Sequence, residues 1–204
     1  ASAPMRQGMR VRAGAIVATA VLLAGCSSGG SSGSDDGAKD GSAATTTVPA
    51  STTTTSGVPK PIADQTPPRS INGLTVQGDT IWVASINAEQ VVQVDRKTGA
   101  ILRRIETPST GPDDVAVAPD GTVYVAGFTS GKVGRIRNGS FDVVTTIPKA
   151  ALNPIEVTDD GTLYLGTYGP NGTLYRVTPT ADGGSAKVVA KGLPDINATG
   201  RGPK

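Results

Sequence analysis

Histidine is absent from this 204-residue chain, and cysteine occurs once. Without histidine there is no Ser-His-Asp or Cys-His nucleophile arrangement and no imidazole ligand for zinc. A single cysteine excludes an intrachain disulfide. Aromatic residues are scarce, at two Phe, four Tyr and one Trp. No Gly-Lys-Ser/Thr phosphate loop and no dinucleotide fingerprint is present. Long apolar runs are also lacking. The longest, Ala13 to Ala24, is too short for a stable membrane span and has the wrong flanks.

What is present is a unit written three times. It reads Asp79-Thr80-Ile81-Trp82-Val83-Ala84, then Asp120-Gly121-Thr122-Val123-Tyr124-Val125-Ala126, then Asp160-Gly161-Thr162-Leu163-Tyr164-Leu165-Gly166. The aromatic residue falls at 82, 124 and 164, steps of 42 and 40 residues. Each copy is a polar turn followed by an alternating apolar strand. An apolar stretch precedes it: Ile71 to Val76, Val115 to Val117, Ile155 to Val157. Two more follow: Val91 to Val94 and Ile101 to Ile105, Val133 to Ile136 and Val143 to Ile147, Leu174 to Val177 and Val188 to Ala190. Four short strands per period of about 40 residues describe one propeller blade. Such a sheet cannot bury both faces alone and must stack on its neighbours. The expected fold class is therefore all-β, a partial β-propeller of about three four-stranded blades. They lie near 70–107, 108–148 and 149–192, with the start of a fourth at 193–204. Propellers need about four to eight blades, so the simplest expectation is a piece of a longer protein. The alternative is a short arc that assembles with other copies.

The chain before the repeats has a different character. Arg6, Arg10 and Arg12 precede the apolar run, which ends in Leu23-Ala24-Gly25-Cys26. This resembles the lipobox of bacterial lipoproteins. The resemblance implies a signal segment over 1–25, cleavage after Gly25 and a diacylglyceryl thioether on Cys26. Two acyl chains suffice for stable anchoring, where one does not. The chain is thus expected on the extracytoplasmic face of a bacterial cell membrane, held by lipid on Cys26. Residues 26–68 are rich in Gly, Ser and Thr and nearly free of large apolar residues, so they are expected to form a flexible tether. A coil of that length spans about 35 Å. The full chain has 19 Lys+Arg against 17 Asp+Glu. Residues 1–25 carry three of the basic residues and none of the acidic ones, leaving 16 against 17, about −1. The basic balance belongs to the signal, and nucleic acid is not an expected partner.

Turn chemistry marks the hairpins. Asn138-Gly139 and Asn171-Gly172 read as type I′ turns. Pro119-Asp120-Gly121 and Asp159-Asp160-Gly161 place glycine where positive φ is needed, with Asp120 and Asp160 as turn residues. Trp82, Tyr124 and Tyr164 are expected to pack between blades.

Aligning the repeats with a one-residue gap in the first puts Asn72, Asp113 and Asn153 at one position. Each lies two residues before the first inner-strand hydrophobe, Leu74, Val115 or Ile155. Innermost strands line a propeller's channel, so these three oxygen-bearing side chains would converge there. Oxygen donors alone, one of them charged, suit a hard cation such as Ca²⁺. Asn and Asp also begin strands as local turn caps, and that reading stays open. Asp114 and Glu156 could face the channel or be tucked between blades.

The segments Pro112-Asp113-Asp114-Val115 and Asn153-Pro154-Ile155-Glu156, with the Pro-Asp-Gly-Thr-Val-Tyr-Val-Ala stretch, resemble SMP-30/gluconolactonase-like and NHL-repeat propellers over roughly 70–204. The first family holds a divalent metal on its axis and hydrolyses lactones or related esters. By that resemblance Asp113 and Asn153 match metal-binding positions, and Asn72 matches by repeat position. No clear match to the family's metal-binding Glu is found, and its Pro-Asp-Gly is Pro-Asp-Asp here. Two functions follow as expectations. One is a tethered binding module for a protein, sugar or small-molecule ligand. The other is a Ca²⁺-dependent lactonase or esterase, with Asp113 as the candidate ligand or base. The missing histidine counts against lyases of similar shape that use one.

Overall fold

Twelve strands form three antiparallel sheets, each of four strands in sequence order. A computed structural model of the chain describes residues 57–200 and Gly202. The signal-like segment, Cys26 and most of the Gly/Ser/Thr-rich stretch lie outside them. The first sheet contains β1 (Ile71–Gln77), β2 (Thr80–Ser85), β3 (Gln90–Asp95) and β4 (Ile101–Glu106). The second contains β5 (Pro112–Val117), β6 (Val123–Gly127), β7 (Lys132–Arg137) and β8 (Ser140–Thr146). The third contains β9 (Leu152–Val157), β10 (Leu163–Thr167), β11 (Gly172–Thr180) and β12 (Gly183–Leu193). A 3₁₀ turn, Ile86–Ala88, joins β2 to β3. β5 and β9 begin three residues before the apolar stretches seen in the sequence, and they run through Pro112 and Pro154. Proline is tolerated there because each is the edge strand of its sheet, where a ladder donor can be spared.

The core lies between the sheets. One buried cluster joins Trp82, Ala84, Val91 and Ile105 of the first blade to Val115, Val123, Val125 and Ile136 of the second. The other joins Tyr124, Ala126, Val133 and Val144 of the second to Leu152, Ile155, Val157 and Leu165 of the third. Trp82 and Tyr124 are buried, whereas Tyr164 is only half-buried. The expected inter-blade role therefore holds for the first two, and no following blade covers Tyr164 among the described residues. The same logic explains Leu74. It is 57% exposed, whereas its equivalents Val115 and Ile155 are 2% and 3% exposed on a preceding blade. Burying such a side chain contributes about 1.5–3 kcal/mol, so stacking is where the fold gains its stability. Gly73 is required by the same close approach. A Cβ there would lie 2.5 Å from Asp114 Cα and 2.7 Å from the Asp113 carbonyl oxygen.

The turns follow the local chemistry. Gly121 and Gly161 have φ of 85° and 81°. Asp120 and Asp160 accept the amides of Thr122 and Thr162 at 2.9 and 3.0 Å, so both are turn residues. Their carboxyls are held below the usual range, Asp120 chiefly by the Thr122 amide and Asp160 chiefly by the Thr158 hydroxyl. Asn138 and Gly139 both have positive φ, 51° and 80°, as a type I′ turn demands. Asn171-Gly172 does not form such a turn. Tyr168-Gly169-Pro170-Asn171 make a longer loop, and Gly172 already opens β11. The loop's positive φ belongs to Gly169 instead.

The first blade's outer edge is capped by chain that precedes the repeats. The Ile62 amide donates to the Ile101 carbonyl at 3.0 Å. The Gln65 side chain donates to the same carbonyl at 3.1 Å and accepts the Ile101 amide at 2.8 Å. A side-chain amide thus stands in for a backbone partner and closes an otherwise open strand edge. Arg104 pairs with Asp64 at 2.9 Å.

Candidate functional site

Each inner strand carries a β-bulge at the same place. In β1, Ile71 pairs with Ser85 and Leu74 with Val83. In β5, Pro112 pairs with Gly127 and Val115 with Val125. In β9, Leu152 pairs with Thr167 and Ile155 with Leu165. Three steps on the inner strand therefore face two on its neighbour, three times over. The extra residues include Asn72, Asp113 and Asn153. A bulge re-aims side chains that a regular strand would send elsewhere, and bulges recur next to active sites. Backbone bonds fix the approach to each bulge. The amides of Ile86, Phe128 and Tyr168 donate to the carbonyls of Ser70, Gly111 and Ala151, two residues before each site residue.

The bulges bring the three expected residues together. Asn72, Asp113 and Asn153 line one cleft of about 230 Å³ with Asp114, Asn197 and Thr199. The Asn72 amide nitrogen donates to Asp113 Oδ1, linking two blades. Asp113 is 2% exposed, and burial pushes its carboxyl up to about 6. The Asn72 hydrogen bond opposes that rise, and the neighbouring Asp114 adds to it. Asn153 as a residue is 9% exposed, and its side chain has no hydrogen-bond partner among the described residues. Its amide opens onto the cleft rather than being enclosed, so its donor and acceptor are free to serve a ligand there.

Asp114 is part structural. Its carboxylate accepts the amides of Val115 at 2.9 Å and Ile155 at 3.0 Å, stapling the second inner strand to the third. Burial raises its pKa, and Glu156 adds to the rise. Asp114, Glu156 and Thr199 line an adjoining cleft of about 410 Å³.

Thr199 is the site residue that sequence alignment missed. The blade crossovers Thr107-Pro108-Ser109-Thr110 and Ile147-Pro148-Lys149-Ala150 have matching 3.2 Å turn hydrogen bonds. Their third residues, Ser109 and Lys149, have φ of 53° and 61°. Leu193-Pro194-Asp195 repeats the pattern, with Asp195 at 47°. Six residues beyond Thr107, Ile147 and Leu193 stand Asp113, Asn153 and Thr199. β12 has 11 residues where β4 has 6 and β8 has 7, so a step of 40 lands short of Thr199. The repeated Pro at the crossover was the available signal.

Comparison with known proteins agrees with this architecture. Among solved structures, the chain is similar to a streptogramin B lyase (TM-score 0.51, 17% identity, 63% of this chain and 42% of that one). It is similar to a catalytically inactive virginiamycin B lyase from Staphylococcus aureus with quinupristin (0.52, 20%, 63% and 44%). It is also similar to a chain of a nidogen/laminin complex (0.54, 16%, 65% and 52%). The fold is a β-propeller. These neighbours bear out the propeller expected from the repeats, and at such identities the likeness is one of fold. The chain spans about half the length of these structures, or less. The strictosidine synthase-like N-terminal family model matches residues 100–136. No curated protein matches the sequence.

Proposed function

We propose that the chain is the ligand-binding part of a lipid-tethered, extracytoplasmic propeller whose axial cleft is the binding site. The observation that carries this reading is the triple bulge, which brings Asn72, Asp113 and Asn153 to one cleft and leaves the Asn153 amide free on its wall. The donors fit a hard cation such as Ca²⁺. Asn72, Asp113 and Asn153 would hold it, with Thr199 beside them. One carboxylate among neutral oxygens predicts modest affinity, since charge count tunes calcium sites. Among the described residues no group of three or more acidic, Cys or His side chains is gathered for a metal. When bound, the cation would supply positive charge on the axis to polarise a ligand oxygen. The residues themselves orient that ligand from three blades. The lipid on Cys26 and the segment after it would tether the domain to the membrane.

Calcium titration followed by thermal unfolding tests the reading, because a ligand of the native state raises its stability. The melting temperature is expected to rise with calcium, and the rise is expected to vanish in Asn153→Ala. Equal melting temperatures with and without calcium would overturn the cation reading. The lactonase or esterase alternative is favoured by one feature, the Asp113 carboxyl near 6. A group that ionises there can serve as a base near neutral pH. Calcium-dependent hydrolysis of glucono-δ-lactone that is lost in Asp113→Asn would select this alternative.

A further inference from the structure

A second cleft, of about 560 Å³, lies beside the β1–β2 turn, at the other end of the first blade from its bulge. Its walls include Asp79, Thr80, Gln93 and Arg103, with Val58 and Pro59 from the segment before the repeats. Trp82, Gln93 and Arg103 stand opposite one another across β2, β3 and β4, so they form a row on one face of the sheet. In the second blade the same row is Tyr124, Arg135 and Asp142. There the β11–β12 hairpin of the third blade covers it. Arg135 Nη1 donates to the Thr180 carbonyl at 2.7 Å, and Nη2 donates to the Ala181 carbonyl at 2.9 Å. Hairpin length decides which row is covered. Arg176 is the equivalent of Arg135, and β11 runs beyond it to Thr180. By contrast β7 ends at Arg137 and turns at once through Asn138-Gly139. A Cβ on Gly139 would lie 4.0 Å from Arg103 Nη1, so this tip comes near the first blade's row without bonding to it.

Two groups in the open row are unpaired. Gln93 is 8% exposed, and its Oε1 is enclosed without a hydrogen-bond partner. An enclosed acceptor is costly until a donor reaches it. The Arg103 guanidinium has no hydrogen-bond or ion-pair partner among the described residues. The second blade shows what such a row takes: a piece of chain that presents two oxygens to a guanidinium. A chain end does this more strongly than a turn, because its carboxylate is charged and matches the guanidinium fork with two bonds. The last N–H of a peptide lies one carbon from that carboxylate, just as Gln93 lies directly across from Arg103. We infer that this cleft captures the carboxyl terminus of a peptide. The carboxylate pairs with Arg103, and a turn of the Gln93 amide brings Oε1 to the last N–H. Asp79 lines the same cleft and disfavours acidic side chains near the peptide's end. A small inorganic anion has no N–H for Gln93 and meets the same repulsion. The inference stands apart from the axial cleft and does not depend on it.

The test is an NMR titration of the ¹⁵N-labelled chain with N-acetyl-trialanine, the same peptide as its C-terminal amide, and sodium acetate. The free acid is expected to shift the backbone amides of Val58, Gly78 and Asp79 and the side-chain amide of Gln93 in a saturable manner. Capping the carboxylate as the amide should weaken binding about tenfold or more, in line with a lost charged pair. Arg103→Gln should weaken the free acid to the same degree, and Asp113→Asn should leave it unchanged. Arg103 is exposed, so Arg103→Gln should melt with the parent, and its loss of binding will not reflect unfolding. Silence of those signals with the free acid overturns the inference. So do equal affinities for acid and amide, parental affinity in Arg103→Gln, and acetate binding as tightly as the peptide.

Discussion

Replacing Asp113 by asparagine should stabilise the propeller at neutral pH and leave it unchanged in acid. The carboxyl has a pKa of about 6 in the folded chain against 3.8 ordinarily. The folded state therefore binds more proton than the unfolded state between these values, and stability must fall as pH rises through that window. Each unit is worth about 1.36 kcal/mol, so ionising Asp113 costs the fold about 3 kcal/mol once pH exceeds 6. The substituted amide cannot ionise, yet its carbonyl oxygen can still accept the Asn72 amide. Urea unfolding of both proteins in the presence of chelator, from pH 3 to 8, reads the difference directly. The variant should match the parent near pH 3, diverge between about 4 and 6, and be more stable by about 3 kcal/mol at pH 7. Asp114 is raised by burial in both proteins, while its repulsion with Asp113 exists only in the parent and forms part of the difference. A difference that is constant with pH, or that favours the parent at neutral pH, would refute the reasoning.

Two further outcomes are expected. Leu74 and Ile155 occupy equivalent inner-strand positions, so the same truncation should have unequal effects. Ile155→Ala should cost about 2–5 kcal/mol, whereas Leu74→Ala should cost under about 0.5 kcal/mol, both by chemical denaturation. For the tether, metabolic labelling with an alkyne fatty acid in a bacterial host should mark the parent protein and not Cys26→Ala. Labelling of both would remove Cys26 as the lipid site.

Much of this arrangement was legible in the sequence because its signals are local. Alternating apolar residues and the Asp-Gly turns marked the second strands. The step of about 40 residues paired Asn72 with Asp113 and Asn153 before any geometry was known. The bulges were not legible, since an extra residue in one strand shows only against its partner. That is why β5 and β9 begin at Pro112 and Leu152, upstream of the apolar stretches. Asn171-Gly172 misled because Gly169 and Pro170 had already made the turn. The Gln65 edge cap depends on one side chain meeting a backbone 36 residues away. Thr199 was hidden by the length of β12, which breaks the period at the place where the chain returns to the axis.

The convergence of three blades on one axial point can be read with a paramagnetic probe. Substoichiometric Mn²⁺ added to the ¹⁵N-labelled chain at pH 7 should broaden the amides around Asn72, Asp113 and Asn153 together, before any others. Those signals should recover when excess calcium displaces the probe. Broadening confined to the exposed turn carboxylates, such as Asp79 or Asp160, with the three bulges untouched, would contradict the account.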